Sequence, residues 1–205
     1  MVFKNIPLTK ADFDTLRWEQ IINACNEKEC TSYMDKFFAK AKEMETSGND
    51  KAQEIYNLLG AICSFHFNPE NKDVPFGPML VMNTRRSAII DDISDEHLGT
   101  LQEIISDIKD HEIHARIADV IWLKKKDFKA AGVAIDSYLE SATNLKDHQW
   151  GLPCFQRIER AYRLATQLGR RAGYRDKVVQ HIEKLLDKYD RKDPLFLSSR
   201  LMELL

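Results

Sequence analysis

Residues 110–142, "DHEIHARIADVIWLKKKDFKAAGVAIDSYLESA", decide the fold. Ile113, Ile117, Val120 and Ile121 recur at steps of three and four, which places them on one face of a helix. Asp110 stands just before that run, where an N-cap carboxylate accepts from the orphaned N–H groups of a first turn. The pattern then restarts. Asp127 opens a second helix, with Phe128, Ala131, Ile135, Tyr138, Leu139 and Ala142 on its apolar face. The turn around residues 124–126 is short enough to force the two helices antiparallel. Trp122 follows Ile121 on a helix with little solvent face left, so its indole is expected in the core.

Working outward, the period persists. Ser94 can cap a helix whose inner stripe is Leu98, Leu101, Ile104, Ile105 and Ile108. After a break at Gly151, Leu152 and Pro153 a second helical pair follows, carrying Ile158, Ala161, Ala165 and Leu168, then Val178, Ile182, Leu185 and Leu186. Residues 128–139 and 174–185 both read as an aromatic residue followed by spaced aliphatics, one helical hairpin apart. Toward the N-terminus three helices are expected: 10–25 after Thr9, 33–46 after Ser32, with Asp35 completing a capping box, and 51–66 after Asn49. His66 lies on the apolar stripe of the third and is expected as a hydrogen-bonded core residue. The fold class is therefore all-α: stacked antiparallel helical hairpins, TPR-like or HEAT-like, with one long Pro-rich loop. The organisation is a single helical domain over 1–205, with N-terminal helices in 1–66, an ordered loop in 67–93 and hairpin repeats in 94–205. The terminal "DPLFLSSRLMELL", residues 193–205, reads as the first helix of a further hairpin, which implies a fragment of a longer protein.

The loop holds "FNPENKDVPFGPMLVMNTRRS", residues 67–87, with Pro69, Pro75 and Pro78 among the six prolines of the chain. Proline fixes φ, so an ordered strap is expected, anchored by Phe76, Met79, Val81 and Met82. Arg85 and Arg86 at its exit are candidates for an interaction surface.

Composition narrows the function classes. A net charge of -2 gives no global case for nucleic acid, and 43% hydrophobic with 30% charged residues is ordinary for a globular chain. Cys25, Cys30, Cys63 and Cys154 show no C-x-x-C spacing, and no secretory or membrane-spanning segment is legible, so reduced thiols and a cytoplasmic location are expected. No Gly-rich phosphate cradle precedes a helix, and no cofactor is expected. His111 and His114 are spaced i, i+3 rather than the i, i+4 of a zinc-protease helix, and the surrounding charges read as a solvated face, so no metal is expected.

Charge is uneven along the chain. Residues 91–112 are acidic, whereas residues 157–177 are rich in arginine. Arg157, Arg160 and Arg163 fall at three-residue spacing on one helix face, a candidate surface for phosphates or an acidic partner; the alternative is a solvated face that pairs with the acidic segment. A further alternative rests on Arg175 and His181. Their spacing resembles the active-site signature of HEPN-type ribonucleases, in which an Arg and a His of one helix meet those of a dimer partner.

Three stretches carry a wider resemblance: "NPENKDVPFGPMLVMNTRRS", "HARIADVIWLKKKDFKAAGVAIDSYLESA" and "DPLFLSSRLMELL". With them the chain resembles the N-terminal helical, repeat-like domain of large uncharacterised bacterial proteins that carry a C-terminal HEPN-like domain with an Arg-Asn-x-x-x-His motif. No such motif occurs in these 205 residues. The resemblance thus implies a non-catalytic scaffold whose partner is another protein or the C-terminal domain of its own parent chain, with nucleic acid as a further possible ligand and any nuclease activity elsewhere. An RNA-cleaving or RNA-binding domain using Arg175 and His181 is the alternative.

Overall fold

The computed structural model describes residues 21–26, 33–63, 93–144, 152–169, 173–188, 202 and 204–205. Every regular element among them is helical. α1 (Tyr33–Thr46) and α2 (Asp50–Cys63) form a first pair; α3 (Asp95–Ile104) runs into a 3-10 turn (Ile105–Asp107); α4 (His111–Lys125), α5 (Phe128–Thr143), α6 (Leu152–Leu168) and α7 (Tyr174–Lys188) follow. Residues 21–25 are also helical. The Pro-rich strap, with its expected anchors, Arg85, Arg86 and His66, lies outside the described residues, as does Cys30.

The helix starts lie where the polar caps stand. The Ser94 side chain accepts from the His97 N–H, and His97 Nδ1 accepts in return from the Ser94 N–H at 3.3 Å, a capping box with an imidazole where Glu or Gln is usual. The Asp110 carboxylate accepts from the Glu112 and Ile113 N–H groups, and Asp127 accepts from Lys129. Lys126 ends α4 at φ 53°, the left-handed conformation that costs a side-chain-bearing residue about 1–2 kcal/mol and here reverses the chain within two residues.

One expected helix is shorter than its apolar pattern. The stripe from Leu98 to Ile108 reads as continuous, yet α3 stops at Ile104 and Ile108 is extended while still buried. Asn26 supplies the reason: its side-chain oxygen accepts from the Lys109 and Asp110 N–H groups, and its amide donates to the Asp107 carbonyl at 3.2 Å. Tyr33 adds a hydrogen bond to Asp110 Oδ2 at 2.6 Å. Side chains distant in sequence thus satisfy the backbone that a longer helix would have satisfied locally.

The first pair is held by Phe37, buried between the rings of Tyr33 and Tyr56, and by Phe38, whose ring lies so close over Gly60 that a Cβ there would sit 2.8 Å from it. Farther on, side-chain contacts fix a register. Glu112 meets Arg157, Asp119 meets Arg160 and Trp122 meets Gln167, so α4 and α6 run in the same direction. Asp136 meets Lys177 and Thr143 meets His181, so α5 and α7 do likewise. Gly132 makes room for Tyr174 in that second pair, since a Cβ there would lie 2.3 Å from the Tyr174 hydroxyl.

Candidate functional site

Of the three arginines expected on one surface, only Arg163 is exposed. Arg157 is 7% exposed and Arg160 is 0% exposed, and both face α4. The geometry of the helix explains the correction: steps of three residues fall about 60° short of a full turn each time, so the row drifts from the inner face at Arg157 and Arg160 to solvent at Arg163. Arg163 bonds Glu159 one turn back at 2.7 Å.

The inner arginines organise two linked polar clusters. Arg160 grips Asp119 bidentately, Nε to Oδ2 at 2.7 Å and Nη2 to Oδ1 at 2.6 Å, and the Tyr138 hydroxyl donates to the same Oδ2 at 3.0 Å. Planar fork-on-carboxylate geometry is the strongest form of charge-assisted hydrogen bond and explains why this charge is tolerated in the core. Burial and the neighbouring Asp119 push the Tyr138 hydroxyl well above its ordinary pKa, so it stays a donor. Two turns earlier on α4, Glu112 accepts from Arg116 at 2.9 Å and from Arg157 at 2.5 Å. Burial alone would raise Glu112, but the two guanidinium groups hold it below the usual carboxylate range. Among the described residues Arg157 Nε and Nη1 are buried without a hydrogen-bond partner, so Arg157 is less fully satisfied than its Nη2 contact implies. Glu112 does belong to the acidic segment, and its pairing with Arg157 joins that segment to the basic one.

Beside these clusters lies an open groove of about 620 Å³ between α4 and α5, lined by Ile108, Lys109, His111, His114, Asp136, Ser137 and Glu140. His114 Nδ1 lies 2.8 Å from the Ser137 hydroxyl. His111 is exposed. No group of three or more His, Cys, Asp or Glu among the described residues is arranged to hold a metal ion. The groove therefore offers hydrogen-bonding and ionic contacts from both signs of charge.

Arg175 and His181 are directed to different neighbours. The Arg175 guanidinium lies 6.0 Å over the Tyr162 ring of α6, and His181 Nε2 lies 3.1 Å from the Thr143 hydroxyl of α5. Val178 and Leu185 are buried as their place on the apolar stripe predicts, and His181 meets α5.

The histidines make stability pH-dependent with a definite sign. Burial, reinforced by His111, depresses His114; burial also depresses His181, with Lys184 and Lys177 adding to the effect against Glu140. The folded state keeps both neutral, whereas the unfolded chain takes up protons near the ordinary value of 6.5. Their contribution is complete above that value and is lost as pH falls from it toward the depressed folded values. Glu112 acts in the same direction in a lower window, its contribution fading only below about 4.5. The urea midpoint is expected to be lower at pH 5.5 than at pH 7.5. An equal or higher midpoint at the lower pH contradicts the neutral assignment.

Two residues that matter here were not singled out as site residues by sequence reasoning. Asn26 carries no motif, and its role appears only when the segment before α4 is brought against it. Asp119 sat in the apolar run "IADVIW", where a lone carboxylate signals a buried partner, yet that partner is 41 residues away.

A family model described as a domain of unknown function, DUF7380, matches residues 3–177. The chain belongs to this family. No curated protein and no solved structure matches the chain. The DUF7380 span takes in both arginine clusters, the whole groove and Arg175, whereas His181 lies beyond it.

Proposed function

We propose that this DUF7380 chain is a helical scaffold, a protein-interaction module of a longer bacterial cytoplasmic protein, whose hairpins stack as a TPR-like or HEAT-like array. The observation that carries the reading is the parallel register of α4 with α6 and of α5 with α7, set by side-chain pairs 38 to 45 residues apart in sequence. That spacing is one hairpin length, as expected where each repeat contacts its neighbour in the same way. In this arrangement Arg157 and Arg160, two of the arginines that the sequence offers for chemistry, act as fasteners between hairpins. The groove of His111, His114, Asp136 and Glu140 is then the partner-facing surface, and the partner is a protein or a C-terminal, HEPN-like part of the parent chain.

Catalysis by Arg175 and His181 is the less favoured reading, because one packs toward α6 and the other toward α5. Both readings are tested together. A photo-crosslinking residue placed at Glu140 in the groove, and as a control at the exposed Glu183 of α7, is expected to give one discrete crosslinked protein from Glu140 alone when the parent protein is expressed in its host. Equal labelling from both positions, or none from Glu140, sinks the groove as an interface. The purified chain is expected to leave mixed single-stranded RNA intact; cleavage that disappears on His181→Ala would put the enzymatic reading first.

A further inference from the structure

The turn joining α4 to α5 reads Lys124-Lys125-Lys126-Asp127-Phe128-Lys129. It presents an aromatic ring and a set of cations side by side. Phe128 is 63% exposed, more than any other large hydrophobic side chain among the described residues. Leaving such a ring in water forgoes about 1.5–3 kcal/mol of burial. The ring is not loose: it lies 5.5 Å from Trp122, tilted by 54°, and Trp122 is itself anchored in the core with its indole N–H donating to Gln167 at 3.2 Å. Lys126 Nζ stands 5.2 Å over the same indole. One side of Phe128 is therefore fixed by the fold and the other faces solvent.

Cations outnumber acids around it. Lys125, Lys126 and Lys129 are exposed, and among the described residues Lys125 reaches a neutral partner, Gln102, at 3.2 Å. Asp127, the one acid in the turn, has its carboxylate engaged by the Lys129 N–H at 2.9 Å as the cap of α5. The parallel register of the hairpins places the start of α7 beside the start of α5, because Tyr174 packs against Gly132. Arg175 thus stands exposed at the same end of the molecule, lining a groove of about 410 Å³ with Ala165, Thr166, Gly169, Gly173 and the exposed Asp176.

We propose that this end of the fold is a docking surface for single-stranded nucleic acid, with a base stacked on the open side of Phe128, the adjoining phosphates on Lys125, Lys126 and Lys129, and the strand continuing toward Arg175. Of the polyanions that lysines attract, an acidic peptide leaves the exposed ring without a purpose. An anionic membrane needs a larger apolar insertion than one ring held sideways against Trp122. A single strand needs both features together: every base has a π-face, stacking on an aromatic side chain is worth about 1–3 kcal/mol per base, and the backbone brings regularly spaced charge. The surface is separate from the groove of His111 and Glu140 and stands whether or not that groove binds a protein.

The test is fluorescence anisotropy of the full chain with labelled oligothymidylate and oligouridylate of about 20 nucleotides. Binding is expected at about 50 mM salt and is expected to weaken toward about 200 mM, with a log–log slope near -2 if three phosphates are neutralised. Phe128→Ala is expected to weaken it about 5- to 150-fold, which is the stacking range converted to affinity. Phe128→Trp is expected to restore it, and the pair Lys125→Glu with Lys129→Glu to abolish it. All of these positions are exposed, so thermal melts should stay close to the parent. Absence of oligonucleotide binding, or equal affinity in Phe128→Ala, overturns the proposal. Sedimentation with phosphatidylserine vesicles in place of oligonucleotide binding would reassign the surface to a membrane.

Discussion

Replacing Asp119 by Ala is expected to lower the stability of this protein by about 3–5 kcal/mol, since it leaves the fully buried Arg160 without its bidentate carboxylate. The Tyr138 hydroxyl loses its acceptor in the same change. For a chain of this length the corresponding fall in melting temperature is roughly 6–20 °C. The mechanism makes a sharper claim than the loss itself. Asp119→Leu combined with Arg160→Met removes both charges and fills similar volume, so the double variant is expected to recover most of what either single change loses. Arg157→Met is expected to be milder than Arg160→Met, because among the described residues Arg157 Nε and Nη1 have no partner and Glu112 keeps Arg116. Urea titration of these variants decides the matter. Additive losses in the double variant would mean that the pair does not act as one unit.

The second large effect is expected at Trp122. Its indole is 6% exposed, and Trp122→Ala removes a side chain that joins α4 to α6 through Gln167 and supports Phe128 from beneath, at about 3–5 kcal/mol. Trp122→Phe keeps most of the apolar volume and loses the hydrogen bond to Gln167, so a loss nearer 1 kcal/mol is expected. A melting temperature unchanged in Trp122→Ala would remove Trp122 as a joint between the two helices.

The sequence by itself determined where the helices of residues 94–143 begin. Asp110, Asp127 and Ser94 marked their starts correctly because an N-cap is a local device, needing only a side-chain oxygen within reach of the next turn's N–H groups. The apolar stripes likewise named the core, and Trp122, Ile135, Ile158 and Val178 are all buried. What only the tertiary structure decided is where the charges go. Arg157, Arg160 and Arg163 look equivalent in a row, and their fates depend on a helical drift of about 60° per step set against a neighbour that local spacing does not reveal. Arg160 found Asp119, Arg157 found Glu112 and Arg163 found water and its own helix. The end of α3 was decided in the same way, by Asn26 reaching the backbone of Lys109 and Asp110 from more than 80 residues away. Periodicity and capping are read within a turn or two of chain; the pairing of a buried charge depends on which helix the fold lays beside it.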